Sequence, residues 1–313
     1  MRLPFEVPAL GSRSFDVVGL GLNSIDLVAS VDTFPTPNSK QRLQRFARLP
    51  GGQIATALCA CTRLGWTASY IGRFGDDALG IQSRQSLVES NVDVTASRTV
   101  PDATNQFAVV LVDRGTGDRT VLWDRDSRLT IDPGEVQRPD VVAGRMLIVD
   151  CQDTAAAARA AEYARQAGIP TIVDVENVRP GINELLRNID AIIAAQAFPT
   201  ALTGYDDPGR ALEEMASAFA APLVCVTLGE DGSLARCGGR EVRTPGLKVD
   251  CVDTTGAGDA FRGGFAAACL RAPDGDVEEA LAYANAVAAL NCRVLGARGG
   301  LPTSDEVERV VYA

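Results

Sequence analysis

The sequence contains no histidine in its 313 residues. This absence removes the most common general base of enzymes and the most common transition-metal ligand among side chains. If the protein carries out acid–base chemistry, that chemistry must depend on carboxylates, lysines, tyrosines or thiols.

Long apolar runs are also missing. No segment reaches the roughly 18 apolar residues expected of a membrane-spanning helix. Prolines and charges interrupt the opening stretch MRLPFEVPALGSRSFDVVGL, which therefore lacks the apolar core of a signal peptide. The eight cysteines show no paired spacing, which favours reduced thiols over disulfides or a zinc site. We therefore expect a cytoplasmic protein with no membrane partner.

Positive charge is in short supply, because 30 lysines and arginines face 40 acidic residues and give a formal net charge of −10. An acidic chain repels the phosphate backbone of nucleic acids, so we expect no nucleic-acid partner. The length suits one large domain that spans residues 1–313.

Short apolar segments alternate with helical segments through the second half of the chain. The predicted strands are Met146–Asp150, Thr171–Val175, Ala191–Ala194 and Leu223–Thr227. Alternation of this kind predicts an α/β fold in which helices cover both faces of a mostly parallel central sheet. The architecture is therefore three layers.

Two extended regions, at about 24–49 and 104–123, do not fit this alternation. The runs Phe107–Val112 and Arg119–Trp123 flank the turn-prone stretch DRGTGD and predict a β-hairpin. We expect both regions to form a small β-sheet that folds over one edge of the main domain as a lid.

The segment CVDTTGAGDAFRGGF, residues 251–265, is the most informative stretch of the sequence. A strand end leads through small residues into a helix with an apolar residue at every fourth position, which indicates one buried face. Free amides and the helix dipole make such a helix start a site for an anion. Asp259 lies in the first turn, where its carboxylate would accept a proton from a hydroxyl. An ordinary strand-to-helix turn with an N-cap is the plainer alternative.

The run DTTGAGDAF resembles the second signature of the ribokinase-like (PfkB) carbohydrate kinases, and it lacks the Gly-Lys-Ser/Thr of a P-loop. The resemblance implies that Asp259 is the catalytic base and that the amides of Gly256, Ala257 and Gly258 form an anion hole. It also implies a ribokinase-like fold and the cofactors ATP and Mg²⁺.

Two further segments resemble the sugar side of that family's site. Residues 51–80 look like the first signature, in which paired glycines, here Gly51 and Gly52, let sugar hydroxyls approach the backbone. Thr56 stands where the family often has an asparagine. The opening GLGLNSID resembles the first strand, which implies that Asp26 binds sugar hydroxyls, and Asn38 is a further candidate in the next loop.

The nucleotide side is implied at four positions: Thr227, Gly229, Gly232 and Asn285. The loop GARGGLP, residues 296–302, matches the region near the family's monovalent-cation site. By that resemblance Asp253 and Thr255 would flank a K⁺ ion.

One element of the family pattern is missing. The family often carries Asn-x-x-Glu before a Leu-Thr-Gly motif, where it helps to order magnesium, but the corresponding residues here are Ala195 and Phe198. Mg²⁺ should then be held mainly by the ATP phosphates and water, because it gives up its hydration shell reluctantly.

Arg125 follows the second predicted lid strand, and the family's sugar-acid kinases carry a similar arginine there. A guanidinium pairs with a carboxylate or phosphate through two hydrogen bonds, which predicts an anionic substrate, a sugar acid or a sugar phosphate. Arg42, Arg45 and Arg119 would add positive charge to the lid. The alternative is that each is a solvated surface arginine.

The sequence therefore predicts an ATP-dependent kinase that phosphorylates a hydroxyl of a sugar, sugar acid or sugar phosphate. A nucleoside kinase of the same fold stays open because aromatic residues of the lid could hold a base: Phe34, Phe46, Phe107 and Trp123. A non-catalytic ribokinase-like regulator is the third alternative. The exposed edges of a lid also make a homodimer plausible.

Overall fold

Fifteen strands and ten α-helices form the part of the chain that the computed structural model describes, residues 1–116 and 118–312. The strands are β1 (Phe15–Leu20), β2 (Ser24–Val31), β3 (Arg45–Gly51), β4 (Ala68–Ile71), β5 (Arg73–Gly75), β6 (Val92–Asp93), β7 (Arg98–Val100), β8 (Phe107–Asp113), β9 (Arg119–Asp124), β10 (Gly144–Asp150), β11 (Thr171–Val175), β12 (Ala191–Ala194), β13 (Leu223–Thr227), β14 (Ser233–Cys237) and β15 (Arg240–Thr244). The helices are α1 (Gln53–Arg63), α2 (Ala78–Glu89), α3 (Arg138–Val141), α4 (Thr154–Gln166), α5 (Ile182–Leu186), α6 (Phe198–Thr203), α7 (Pro208–Phe219), α8 (Ala257–Arg271), α9 (Val277–Asn291) and α10 (Ser304–Val311).

Nine of the strands form the central sheet, in the order β15-β14-β13-β12-β11-β10-β1-β4-β6. Seven of them, from β13 to β6, are parallel to their neighbours, and β14 and β15 are antiparallel. Because the strands from β13 to β6 share one direction, their carboxyl ends meet at one edge. That edge is where open α/β sheets bind ligands.

Helices cover both faces of this sheet. Alternate strand residues point to opposite sides, so Ile148 and Ile193 pack under α1, α8 and α9, whereas Val149 and Ile192 pack under α4 and α7. The predicted three-layer α/β architecture with a mostly parallel sheet is confirmed. None of the helices in the described residues is long and apolar enough to cross a bilayer. All eight cysteines are unpaired, in keeping with the predicted reduced thiols.

A separate four-stranded sheet has the order β3-β2-β8-β9 and is built from the two extended regions. Strands β8 and β9 form the predicted hairpin, and β8 runs parallel to β2. By the strand register, Asp26 and Trp123 lie on one face of this sheet, whereas Phe46 and Leu122 lie on the other. We call the four strands the lid, and its role as a lid over one edge of the domain stays a prediction.

The hairpin β14–β15 was not predicted by the alternation argument. Its loop is the two-residue Gly238-Gly239, and both residues have positive φ, 53° and 75°. This is the composition and conformation of a tight hairpin turn between antiparallel strands. The Gly-Gly pair was therefore the signal that could have revealed it.

Helix α8 lies very close to its neighbours because two glycines fall in its middle. A Cβ at Gly263 would lie 2.4 Å from the carbonyl oxygen of Ala57 in α1, and one at Gly264 would lie 2.9 Å from the Cβ of Val287 in α9. Larger residues would push the helix away from α1 and α9. The glycines therefore fix where the first turn of α8, which carries Asp259, is held.

We expect Gly263→Ala to lower the free energy of unfolding by about 1–3 kcal/mol, the range for an overpacked core. Urea unfolding measures it. Gly209→Ala in α7 is the matched control, because its new methyl would approach only the side chains of Glu241 and Asp207. That control should be neutral or stabilising, since alanine is the better helix former. Equal effects of the two substitutions would contradict the close-packing argument.

Candidate active site

Helix α8 begins at a strained glycine turn. Gly256 is its N-cap with φ 75°, and a Cβ there would lie 2.4 Å from the carbonyl oxygen of Ala297. No side chain of residues 1–116 or 118–312 caps the helix start. The amides of Gly256 and Gly258 lie at the positive end of a 15-residue helix, which suits an anion, whereas the amide of Ala257 donates to the carbonyl oxygen of Thr254 at 3.2 Å.

Asp259 lies in the first turn of α8 and is half-buried. Burial raises the pKa of its carboxyl to about 7, although the guanidiniums of Arg262 and Arg119 act in the opposite direction. The nearby carboxylates of Glu176 and Asp26 raise the pKa further. A carboxyl that ionises near neutral pH suits a general base.

Asp253 fixes the turn that precedes the helix. Its Oδ1 accepts hydrogen bonds from the amide and the hydroxyl of Thr255, at 2.8 and 2.7 Å, and its Oδ2 accepts one from the amide of Gly296 at 2.8 Å. The carboxylate thereby connects the turn before α8 to the 296–302 loop. The predicted binding of K⁺ by Asp253 and Thr255 stays a prediction.

Asp26 projects from β2 of the lid and is buried, with the hydroxyl of Ser24 donating to its Oδ1 at 2.7 Å. Burial raises the pKa of this carboxyl, and the charge of Arg298 opposes the rise. A Cβ at Gly51 would lie 2.1 Å from Oδ2 of Asp26, and one at Gly52, where φ is 91°, would lie 2.4 Å from the backbone of Asn23. The structure thus brings Asp26 and the two predicted glycines together.

Thr56 is fully buried in α1, and its hydroxyl accepts a hydrogen bond from Nε of Arg298 at 3.2 Å. Arg298 also donates to the carbonyl oxygen of Gly51 and to the hydroxyl of Ser86. Sequence reasoning missed Arg298, although it lies within the GARGGLP loop that was singled out. The arginine connects that loop to both predicted sugar-side segments.

The lid contacts the turn before α8 through Arg119, whose Nη1 donates to the hydroxyl of Thr254 at 2.6 Å. By the strand register, Arg45 and Arg119 lie on the same lid face as Asp26 and Trp123. Asn38 is exposed at a turn with φ 63°, and no side-chain hydrogen bond joins it to the other predicted residues within the described chain.

Arg125 forms a two-pronged ion pair with Asp153. Its Nη1 and Nη2 lie 2.9 and 2.7 Å from the two carboxylate oxygens, and Nη2 also donates to the carbonyl oxygen of Leu129 at 2.8 Å. Both side chains are largely buried. A substrate anion would have to compete with Asp153 for this guanidinium, so the predicted substrate contact stays a prediction.

The predicted nucleotide residues meet at the ends of β13 and β14. Thr227 pairs with Ser233 across the two strands, and Nδ2 of Asn285 in α9 donates to the hydroxyl of Ser233 at 3.1 Å. A Cβ at Gly232, where φ is 89°, would lie 2.2 Å from a backbone oxygen, whereas one at Gly229 would meet nothing within 4 Å. The edge beside α9 is therefore open at Gly229.

Two charged residues next to the site were missed by sequence reasoning. Asp174 at the end of β11 and Arg262 of α8 form a buried ion pair with 2.7 Å between Oδ1 and Nη2. Arg262 follows Asp259 by one helical turn, so its place in DAFRGGF was the available signal.

At the positions where the family often has Asn-x-x-Glu, Ala195 and Phe198 offer no side-chain ligand, and Phe198 is buried in the core.

Comparison with known proteins gives a consistent result. Residues 14–304 match the family described as pfkB family carbohydrate kinase. The chain is 31% identical to an ATP-dependent ribose-1-phosphate kinase of Halopiger xanaduensis, over 93% of this chain and 96% of the relative. It is 30% identical to a 2-dehydro-3-deoxygalactonokinase of Haloferax volcanii, over 83% and 86%.

A solved structure of Arabidopsis thaliana ribokinase complexed with ribose and ATP superposes with a TM-score of 0.82 at 23% identity, covering 96% of this chain and 99% of the other. This likeness confirms the ribokinase-like fold. Together with an anion-binding helix start beside a carboxylate, the match defines a carbohydrate kinase. The chain belongs to the pfkB family of carbohydrate kinases.

The raised pKa of Asp259 predicts a pH-dependent cost to the fold. The ordinary pKa is 3.8 and the folded value is about 7, so between these values the folded state binds more protons and the free energy of unfolding falls as pH rises. Asp259→Asn cannot ionise. We therefore expect its stability gain over the parent protein to be larger at about pH 8 than at about pH 5.

Urea unfolding at both pH values measures this gain, and Glu162→Gln on the exposed side of α4 controls for the loss of a surface carboxylate. A gain for Asp259→Asn that is the same at both pH values would show that Asp259 is not held at a raised pKa.

Proposed function

We propose that this protein transfers the γ-phosphoryl group of ATP to a hydroxyl of a sugar, a sugar acid or a sugar phosphate. The observation that carries the proposal is the contact between the lid and the turn before α8, where Nη1 of Arg119 donates to the hydroxyl of Thr254 at 2.6 Å. Asp259 lies in the first turn of α8, and Asp26 lies on the lid face that carries Arg119. A hydroxyl compound held by Asp26 would thus lie beside a base and an anion site.

In this mechanism the buried Asp26 accepts hydrogen bonds from substrate hydroxyls, as a carboxylate suits a polyol. Asp259 takes the proton from the attacking hydroxyl. The amides of Gly256, Ala257 and Gly258 stabilise the negative charge of the phosphoryl group in transfer. Closing the lid excludes water that would otherwise hydrolyse ATP.

The residues of this chain could accommodate Mg²⁺ only when the ion is bound to the nucleotide. Within the described ranges, no three carboxylate or thiol side chains are grouped as a metal site. Mg²⁺ bound to the ATP phosphates would neutralise charge on the phosphoryl oxygens. Asp253, with its two oxygens bonded to Thr255 and Gly296, orders the turn, and a K⁺ ion beside it remains part of the proposal.

For the nucleotide, we propose the edge formed by Thr227, Gly229, Gly232 and Asn285. The absence of a side chain at Gly229 leaves the surface open to a flat adenine ring. Asn285 acts by holding the β14 and β15 ends, since its Nδ2 also donates to the carbonyl oxygen of Thr244.

For the acceptor, we propose an anionic sugar. Three relatives are at least 30% identical: two are named for ribose-1-phosphate and 2-dehydro-3-deoxygalacto substrates, and the third is a fructokinase of Klebsiella pneumoniae. Arg45 and Arg119 share the lid face of Asp26, and they supply positive charge in an acidic protein. Arg125 would join them if a substrate anion displaced Asp153.

We also propose a cytoplasmic protein without nucleic-acid or membrane partners, which is consistent with its net charge of −10. A homodimer through the lid is supported by Phe46 and Leu122, which are 58% and 60% exposed on the lid face opposite to Asp26. Strands β3 and β9, the edges of the lid, would be available to pair.

The experiment that tests the function is a screen of sugars, sugar acids, sugar phosphates and nucleosides for substrate-dependent release of ADP. With the best acceptor, Asp259→Asn should lower kcat by about 10²–10⁴-fold, the range for a lost general base, while ATP binding persists. In the parent protein, kcat/KM should rise with pH and level off above about pH 7, because the base must be ionised.

Near-normal turnover by Asp259→Asn would show that Asp259 is not the general base. Turnover of nucleosides alone would establish the nucleoside kinase instead. If no acceptor stimulated ADP release, the chain would be the non-catalytic regulator.

Asp26 provides a second prediction, on binding instead of turnover. Asp26→Ala should weaken acceptor binding by about 1.5–3 kcal/mol, the effect of removing a charged hydrogen-bond partner, and leave ATP affinity unchanged. Calorimetry on both ligands separates the two effects. Asp32→Ala, an exposed carboxylate of the lid, is the control. Unchanged acceptor affinity in Asp26→Ala would show that Asp26 does not bind the acceptor.

A further inference from the structure

Arg262 places its guanidinium beside the first turn of α8. Helical side chains point toward the N-terminus, so this long side chain runs back along the helix past Gly258, four residues earlier. A Cβ at Gly258 would lie only 2.3 Å from Nη1 of Arg262. The guanidinium therefore fills the space that any side chain at position 258 would need, next to the amides that form the anion site.

The protein leaves donors of this guanidinium unused. Arg262 is 2% exposed; its Nη2 donates to the carbonyl oxygen of Ile193 at 3.1 Å and lies 2.7 Å from Asp174. Its Nε is buried without an acceptor, whereas Nη1, for which the described ranges provide no acceptor, is not fully buried. The Asp174 oxygens also lack well-aligned donors, and burial raises the pKa of that carboxyl.

Two other largely buried arginines show how such a group is normally satisfied. Arg145 donates from Nε to the carbonyl oxygen of Pro8 and from Nη1 to Asp16, both at 2.8 Å. Arg125 gives both of its terminal nitrogens to Asp153. Buried charged donors seldom go without acceptors, because each unmet one is costly. The incomplete bonding of Arg262 thus points to an acceptor that arrives with a ligand.

We infer that Arg262 donates from Nη1 to an oxygen of the phosphoryl group in transfer. A guanidinium matches phosphoryl oxygens in geometry and charge, and a fixed donor at developing charge stabilises a transition state. The inference rests on the proposed phosphoryl transfer at this turn. It also gives the chain a positive charge at a site where the family's magnesium-ordering element is missing.

The step balances without a further reactant. The acceptor oxygen forms a bond to the γ-phosphorus, the bond from that phosphorus to the bridging oxygen breaks, and its electron pair leaves on ADP. The hydroxyl proton goes to Asp259. Arg262 stays protonated throughout and only donates a hydrogen bond.

The test compares Arg262→Gln with Arg145→Gln. Arg145 is equally buried and ion-paired, but it lies at the start of β10, at the edge of the sheet opposite the site. We expect both variants to lose stability, whereas only Arg262→Gln should lose about 10²–10³-fold in kcat, the effect of removing one transition-state donor. Acceptor KM should change little. Arg262→Lys should recover only part of kcat, because lysine keeps the charge without the fork.

Two further measurements extend the comparison, and the second needs no knowledge of the acceptor. Guanidinium chloride at low millimolar concentration should raise the turnover of Arg262→Gly and leave that of Arg145→Gly unchanged. Inorganic phosphate, followed by ³¹P NMR or calorimetry, should bind the parent protein and bind Arg262→Lys at least about tenfold more weakly, which corresponds to about 1.4 kcal/mol.

Equal kcat in Arg262→Gln and Arg145→Gln would overturn the inference, as would phosphate binding that is absent from the parent protein or unchanged in Arg262→Lys. These outcomes differ from failure of the proposed function. If no acceptor is phosphorylated, the kinase proposal fails, while phosphate binding still decides whether Arg262 completes an anion site.

Discussion

The close packing of α8 against α1 and α9 is the constraint on which the site depends. The first turn of α8 can reach the carboxyl ends of β11 and β12 only if its axis lies nearer to its neighbours than ordinary side chains allow. Gly263 and Gly264 provide that approach, and Gly256 provides the turn into the helix. The anion site, Asp259 and Arg262 then follow from one placement of one helix. A side chain at either Gly263 or Gly264 would therefore also displace the turn that carries Asp259.

Much of the fold could be predicted because its signals are local. The strands from β10 to β13 are short apolar runs between helices, and this alternation alone implies a parallel sheet with helices on both faces. The hairpin β14–β15 was not predicted, because alternating strands and helices predict crossover connections between parallel strands. Only the Gly238-Gly239 pair indicates a tight turn. The parallel pairing of β2 with β8 in the lid could not be predicted, because it depends on contacts between residues far apart in the chain.

Site residues could be proposed from the sequence where they form a contiguous motif. Asp259 and the amides of Gly256, Ala257 and Gly258 were candidates because a helix start gathers them within four residues. Residues that act through distant partners were harder to interpret. Arg298 reaches Gly51 and Thr56 from near the C-terminus, and no spacing rule connects them. Arg125 had the right residue type for an anion, but sequence could not reveal that Asp153 already occupies its fork.

The chain has only two tryptophans, and their placement differs sharply. Trp66 packs against the core of the main domain, whereas Trp123 is 56% exposed on the lid face that carries Asp26. An indole in water emits at longer wavelength than one shielded from it. If the lid moves as proposed, the emission of Trp123 would shift with its exposure, and the half-buried Trp66 would serve as the reference in the unlabelled protein.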